Sequence, residues 1–326
     1  MATVECAAEQ EVEAYLALVM AGFGPQVLPA HDPSATADTV ADAVFDLLTS
    51  RTFCHLQRGL SAPYRERTVE LLRPRIEAAE PLRFFYDIGP GYHATLRPGE
   101  EPLFFDVGLA ELLILFNVNA FADRVANIYP PGVHFHLVVD NLCGHRTNDI
   151  PLELSEGYCA RLRYLIDELG LTSRVTLLVE SETFALGEYD QLLATVEPSP
   201  LALPSTKAHE NVERFLGRLC SADEAAERIE GYRRAGIVTE QLLARAVDGV
   251  RITQRATPAT LGFRPFPGGD SRSQCGAVVL GANSKGRLRP FLLTSTNVDE
   301  HDCAELVYPE VLPESVATVL YASPRS

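Results

Sequence analysis

Apolar residues in the middle of the chain alternate between strand-like and helix-like spacing. Short apolar runs near Arg83–Tyr86 and at 133–139 predict buried strands, and 174–181 predicts a third. Residues 107–128 are apolar around much of a helical circumference, which predicts a buried helix, and 154–169 predicts another that ends at a glycine. This strand–helix–strand–helix–strand order predicts a mostly parallel sheet with right-handed crossovers.

Helical patterns flank this unit. Three segments before this unit have apolar residues at helical spacing. They are residues 7–22, a segment whose N-cap would be Asp32, Ser34 or Thr36, and residues 63–79. The first 80 residues therefore predict a helical lead-in. Residues 186–246 look helical throughout and predict a cap or insertion. Three later runs predict strands that complete the sheet: 277–282, 290–295 and 316–322.

Composition limits the functional class. The chain has 326 residues, of which 46% are hydrophobic, enough for one large α/β domain or two modest ones. A net charge of −16 argues against general nucleic-acid binding, which needs clustered Lys and Arg. The acidic N-terminal segment does not resemble a signal peptide, and no run reaches transmembrane length. We therefore expect a cytoplasmic protein that binds neither nucleic acid nor membrane.

The cysteine pattern argues against a disulfide framework and against a structural zinc site. The seven cysteines are an odd number and no two form a C-x-x-C pair. Reduced thiols are the expectation for a cytosolic chain. Cys143 could act as a nucleophile only if His145 or a helix N-terminus lowered its pKa, which the sequence does not show.

Basic residues are mostly arginine, because only Lys207 and Lys285 are lysines among 28 Lys and Arg residues. Recognition of anions therefore falls mainly to arginine, which binds carboxylate and phosphate bidentately. One late group of basic residues either attracts an anionic substrate or forms a surface charge patch: Arg264, Arg272, Lys285, Arg287 and Arg289.

Two predicted strands end in an aspartate, Asp87 and Asp140, at the sheet edge where open α/β folds bind ligands. The segment from Asp140 to Asp149 predicts a polar loop that combines acid, base and hydrogen-bond donor groups. The alternative is a solvated loop held by Asx turns.

The turn after the first strand, Asp87-Ile88-Gly89-Pro90-Gly91, resembles the first motif of S-adenosylmethionine-dependent methyltransferases, with Asp106 as the acid that would hold the ribose. Such a unit needs a helix between its two strands, and residues 93–102 hold two prolines and no helical period. A structural turn is the alternative.

His134, His136 and Asp140 share one face of strand 133–139 by parity and could hold a metal ion. A further ligand is not evident, and histidines buried against a helix or at a sheet edge are the alternative. We expect no metal.

The order of these elements resembles the pyoverdine/dityrosine biosynthesis family, which includes the isonitrile (isocyanide) synthases. Coverage is about residues 35–180, and the matching segments are Gly108–Leu115, Tyr129–Gly132, Leu137–Asp140, Asn148–Ile150 and Tyr158–Leu165. The resemblance implies a Rossmann-like enzyme that builds an isonitrile on the amino group of an amino acid. The isonitrile carbon would come from ribulose 5-phosphate without a redox cofactor. Dityrosine-pathway relatives instead N-formylate tyrosine.

The chain departs from this family's pattern after the first strand. Members carry Lys-Ser in a Pro-rich turn, whereas this turn has only His93 and Arg97 as basic groups. Asp140 carries over from the family's second strand end, and its neighbours Val139 and Asn141 do not match the usual Ser and Gly. The missing lysine bears on whether a sugar phosphate is the co-substrate.

We therefore expect an α/β fold, with a Rossmann-like mostly parallel sheet, an N-terminal helical lead-in and a helical insertion. The lead-in (1–80) would pack on a catalytic domain (81–326) that includes the helical cap at about 186–246. The expected function is an isonitrile synthase-like condensation on the amino group of an amino acid or related small molecule, with a divergent active site. The alternatives are a methyltransferase and a non-catalytic small-molecule-binding protein.

Specific residues are assigned to these roles. The catalytic candidates are Asp140, His93, His145 and Asp149, and the substrate-binding candidates are Tyr92, Arg97, Asn141, Asn148, Arg146, Arg272 and Arg289. We expect no cofactor. The expected partners are a small-molecule substrate, which would be an amino acid, and an anionic co-substrate. The turn with Tyr92 and His93 should face the segment with His145 and Asp149 across one pocket.

Overall fold

The computed structural model describes residues 2–24, 34–54, 62–88, 92–94, 103–253, 261–265, 277–283, 285–293 and 297–325. The helices are α1 (Ala2–Ala21), α2 (Ala37–Leu48), α3 (Ala62–Glu77), α4 (Leu109–Ile128), α5 (Asn141–Asn148), α6 (Leu152–Glu168), α7 (Glu180–Thr183), α8 (Leu186–Thr195), α9 (Thr206–Leu216) and α10 (Ala222–Ala246). The strands are β1 (Leu82–Ile88), β2 (Tyr92–Ala94), β3 (Leu103–Phe105), β4 (Val133–Val139), β5 (Val175–Val179), β6 (Val250–Thr253), β7 (Leu261–Gly262), β8 (Ala277–Ala282), β9 (Leu288–Leu293), β10 (His301–Val307) and β11 (Thr318–Pro324).

A five-stranded parallel sheet forms the centre of the molecule, in the order β5-β4-β1-β6-β7. Successive residues of β1 point to opposite faces. Phe84 packs against Phe121 of α4, whereas Phe85 packs with Leu243 of α10. Helices therefore cover both faces, and the expectation of a Rossmann-like α/β fold is confirmed.

The late strands do not extend this sheet, so that prediction was wrong. β8, β9 and β11 join β10 in a separate four-stranded sheet of order β10-β11-β8-β9. The parallel sheet is extended instead by β6 and β7. Both strands are very short, four and two residues, which leaves too little periodicity to be seen in the sequence.

The lead-in helices form where their patterns predict. Thr36 is the N-cap of α2, and its hydroxyl accepts a hydrogen bond from the Thr39 amide at 3.2 Å. The buried face of α2 includes Val40 and Val44. Both α1 and α2 contact α4, and their apolar residues belong to the main core. None of the helices in the described parts of the chain is long and apolar enough to cross a bilayer.

The helices of residues 186–246 lie beside the carboxyl ends of β4 and β5. Tyr189 of α8 and Val238 and Leu242 of α10 form a buried cluster with Leu142 of α5. The segment after Asp140 is thus a helix that packs under this cap, and the prediction of a loop there was wrong. Burial of Leu142 and Thr147 against the cap favours the helix over a solvated loop.

Candidate active site

Three acidic side chains and one arginine lie at or near the carboxyl ends of four neighbouring strands. Glu180 follows β5, Asp140 follows β4, Asp87 is the last residue but one of β1, and Arg251 lies in β6. The register pairs Val139 with both Ile88 and Val179, which puts these strand ends at one level. This is the edge at which open α/β folds bind ligands.

Asp87 is ion-paired to Arg251, whose Nη2 donates to Asp87 Oδ2 at 2.8 Å. Arg251 also contacts Glu240 of α10, which ties the cap to the sheet. Burial raises the pKa of Asp87 to about 6, and Arg251 offsets part of that effect. The other carboxyl oxygen, Oδ1, is buried and has no hydrogen-bond partner among the described residues.

The pKa of the Asp140 carboxyl group is raised more than that of Asp87. Burial raises its pKa to about 8, and the nearby charges of Glu180 and Asp87 add to the effect. Its Oδ1 atom is buried without a hydrogen-bond partner in the described part of the chain. At neutral pH this group is therefore mostly protonated and able to donate a proton.

Glu180 is fully buried and fixes the start of α5. Its Oε2 accepts hydrogen bonds from the amides of Leu142 at 3.1 Å and Cys143 at 3.2 Å. These amides belong to the first turn of α5 and would otherwise lack an acceptor. Burial raises the pKa of Glu180.

A cavity of about 220 Å³ opens between α3, α10 and β6. Leu71, Leu243 and Val247 give it apolar walls, while Arg67, Glu240 and Arg251 give it charged ones. Arg251 contributes to the cavity wall and also pairs with Asp87, so it links the cavity to the carboxyl cluster. None of the three acids is among the lining residues.

Asn141, predicted to bind substrate, bridges two helices. Its Nδ2 donates to Ser181 Oγ at 2.7 Å, and its Oδ1 accepts from the Ser181 amide at 3.0 Å. The side chain is fully buried. These bonds position α5 against α7 and hence Asp140 against Glu180.

The other candidates of α5 point to neighbouring elements. His145 Nδ1 lies 2.8 Å from the Ile150 carbonyl oxygen, and Arg146 binds Asp190 of α8 bidentately at 2.8 and 2.6 Å. Asp149, in a left-handed conformation, is 3.0 Å from Arg228 of α10 and largely exposed. The Oδ1 of Asn148 is buried with no hydrogen-bond partner in the described residues.

Several candidates lie outside what the structure describes: the side chains of Tyr92 and His93, and the residues Arg97 and Arg272. The backbone of Tyr92–Ala94 forms β2, which pairs with β3 and contacts α9. Arg289 is exposed on β9, in the second sheet.

The two strand histidines share one threonine. His134 Nε2 and His136 Nδ1 lie 3.1 and 3.0 Å from the Thr176 hydroxyl. His136 also stacks on Phe85, with ring centroids 4.7 Å apart. Burial lowers the pKa of His136 to about 4. Within the described residues these rings and Asp140 do not converge as metal ligands.

The surroundings of Cys143 do not suit a nucleophile, and those of Asp106 do not suit the ribose-binding acid of a methyltransferase. Burial raises the pKa of the Cys143 thiol, so a reactive thiolate is not favoured. Asp106, the acid of the methyltransferase motif, is ion-paired with Arg161 at 2.6 Å. It follows β3, which pairs with β2 in a separate two-stranded sheet.

No family model and no curated protein matches the sequence. Among solved structures, the crystal structure of the PvcA protein from Pseudomonas aeruginosa matches with a TM-score of 0.61 and 19% identity, over 87% of this chain and 99% of that chain. This chain has the fold of PvcA.

Within this PvcA-like fold, two members of the strand-end cluster were missed in the sequence. Glu180 repeats the pattern of Asp87 and Asp140, an apolar strand followed by an acid, and this pattern could have identified it. The predicted strand 174–181 includes Glu180, whereas β5 ends at Val179 and Glu180 begins α7. Arg251 lies in a four-residue strand behind a long helix, where the sequence carries almost no signal.

Proposed function

We propose that this chain is a biosynthetic enzyme that condenses the amino group of an amino acid, or a related small molecule, with the carbonyl carbon of an anionic co-substrate. The reaction would be of the isonitrile synthase type, with a divergent active site. The PvcA-like fold and the family resemblance of the sequence support this class. The observation that carries the proposal is that Asp140 and Asp87 lie at adjacent strand ends, each with a buried Oδ1 atom that has no hydrogen-bond partner among the described residues. Burial raises the pKa values of these carboxyl groups to about 8 and about 6.

Such a pair suits amine–carbonyl condensation. The amine nitrogen attacks the carbonyl carbon, the carbonyl oxygen takes a proton, and the resulting hydroxyl leaves as water after a second protonation. The nitrogen loses its protons in the same sequence. Near neutral pH, Asp140 holds a proton to give and Asp87 is mostly ionised and can accept one. Burial is the largest cause of the raised Asp140 pKa, and the nearby carboxyl group of Glu180 raises it further.

Binding of the anionic co-substrate is assigned to arginine. Arg97, Arg272 and Arg289 keep this role as proposals, and Arg67 of the cavity wall joins them. The side chains of His93 and His145 would assist proton transfer. No lysine is needed for this scheme, because the substrate supplies the amine and the carboxyl groups move the protons.

The test is turnover of amino acids with pentose phosphates, measured by mass spectrometry of the products. Asp140→Asn should lower turnover by about 10²–10⁴-fold, the usual contribution of a positioned acid or base. It should also remove the alkaline limb near pH 8 from the pH–rate profile. Asp167→Asn, at an exposed position of α6, is the matched control and should keep full activity.

Two results would contradict the proposal. One is turnover by Asp140→Asn within about tenfold of the parent, well short of what a positioned acid contributes. The other is amino-acid binding without any product, which would favour a non-catalytic binding protein on the same fold.

A further inference from the structure

A second cluster of reactive side chains lies in the cap, on α9 and in the connection that follows it. His209 and Glu213 are one helical turn apart on α9, and Cys220 lies in the connection to α10. One potential ligand atom from each of these residues lies within 4.8 Å of the other two. All three residues are half-buried, so the cluster is sheltered but reachable from solvent.

The chain returns to α9 through a left-handed turn. Gly217 has φ of 67°, and the Arg218 amide donates to the Glu213 carbonyl oxygen at 3.2 Å, which is the pattern of a Schellman motif. This turn brings Cys220 back onto α9. The Cys220 amide then donates to Glu213 Oε1 at 3.2 Å, and His209 Nε2 lies 2.9 Å from the Cys220 carbonyl oxygen. Both contacts use the backbone of Cys220, and its thiol takes part in neither.

The donor set and its spacing suit a transition metal. Imidazole nitrogen, carboxylate oxygen and thiolate sulfur are the ligands of zinc sites, and bonds of about 2.0–2.3 Å at tetrahedral angles put neighbouring ligand atoms roughly 3.3–3.7 Å apart. His209 Nε2 and Glu213 Oε1 are 3.5 Å apart, a distance within that range. Metal binding would replace the contacts that His209 Nε2 and Glu213 Oε1 make with the Cys220 backbone, and the sulfur lies within 4.8 Å of a ligand atom of each residue.

We propose that His209, Glu213 and Cys220 bind one zinc-type divalent metal ion, with water in the fourth position. Three protein ligands with one open position distinguish such a site from closed four-ligand structural sites. The ion would connect α9 to the residues that precede α10. This inference does not depend on the function proposed above, since none of the three residues belongs to the strand-end cluster.

The experiment is titration of the tag-free, reduced and metal-stripped full-length protein with Co²⁺, followed by displacement with Zn²⁺. We expect one equivalent of Co²⁺ to bind and to give a near-ultraviolet thiolate-to-cobalt charge-transfer band. Cys220→Ser should abolish the band. Cys303→Ser, which changes an exposed cysteine of β10, is the matched control and should leave the band intact.

Two further variants test the other ligands. His209→Gln and Glu213→Gln should each weaken Co²⁺ binding by at least about tenfold, because even partners outside the ligand shell contribute about 10–100-fold to metal affinity. Glu213→Gln retains an oxygen that can accept from the Cys220 amide, so a loss of binding would not reflect a lost turn. Absence of stoichiometric binding, a band that persists in Cys220→Ser, or unchanged affinity in either glutamine variant would overturn the proposal.

Discussion

Arg251 and Asp87 join β6 to β1 through a 2.8 Å ion pair, although they are 164 residues apart in the chain. Only 16% of the arginine side chain and 25% of the aspartate side chain are exposed, so both groups are largely withdrawn from water. A buried ion pair contributes little net stability compared with apolar residues, but the loss of one partner leaves an uncompensated charge.

Arg251→Gln should therefore destabilise the protein by an amount near the lower end of the range of about 3–5 kcal/mol seen when one member of a buried pair is removed. It should also raise the pKa of Asp87 above about 6, since Arg251 is the group that lowers it. Urea unfolding at neutral pH measures the first effect. The double variant Asp87→Asn/Arg251→Gln should recover part of the lost stability. If the double variant is as unstable as the sum of the two single variants, the two groups are not coupled.

The raised pKa of Asp140 predicts a change of stability with pH. Its folded-state value of about 8 lies above its ordinary value of 3.8, so between these values the folded protein binds more protons than the unfolded chain. Asp140 therefore contributes a loss of stability as pH rises from about 4 through about 8.

Asp140→Asn removes this loss, because asparagine stays neutral. The variant should match the parent near pH 4 and become progressively more stable than it towards pH 9. The gain should grow by up to about 1.4 kcal/mol for each pH unit between the unfolded and folded pKa values, because burial penalises the charged carboxylate. Thermal unfolding across this pH range gives the comparison, and a constant difference between the two proteins would show that the carboxyl group is not shifted.

Glu180 supports both the backbone of α5 and the charge balance of the site. Glu180→Ala leaves the Leu142 and Cys143 amides without their acceptor and should cost about 1–3 kcal/mol. Glu180→Gln keeps an acceptor oxygen and should cost less. Because the charge of Glu180 raises the pKa of Asp140, Glu180→Gln should also move the alkaline limb of activity to lower pH. If the alkaline limb of the pH–rate profile does not move, the charge of Glu180 does not affect the pKa of Asp140.

Gly249 allows β6 to approach β1. A Cβ at this position would overlap the carbonyl oxygen of Arg83, a backbone atom that cannot move aside easily. Gly249→Ala should therefore destabilise the protein by about 1–3 kcal/mol through overpacking. Gly231→Ala is the matched control, since a Cβ there meets nothing within 4 Å and α10 should gain about 0.5–1 kcal/mol. If urea unfolding shows the same change in unfolding free energy for Gly249→Ala and Gly231→Ala, this explanation of Gly249 is wrong.

The sequence predicted the parts of the fold that long periodic segments determine. Helix α4 and strand β4 have enough apolar residues in register to be identified, and Asp140 could be placed at a strand end because it follows such a strand. Strand β6 and Arg251 could not be identified, since four residues carry little periodicity and the pairing of β6 with β1 is set by packing over a long sequence separation. The second sheet was missed for a related reason. Whether a strand joins one sheet or another depends on tertiary contacts that alternation does not encode.

The position of β6 next to β1 also has a consequence for synthesis. Arg251 leaves the ribosome long after Asp87, and until then β1 has one unpaired edge next to apolar residues such as Phe84 and Tyr86. Exposed apolar edges of this kind invite pairing with other chains. The helices of residues 186–246 are made within this interval, and Leu243 of α10 packs on Phe85 in the finished molecule. A nascent chain that stalls before residue 250 would lack the Arg251 guanidinium that pairs with Asp87. Such a chain would depend on chaperones to avoid aggregation.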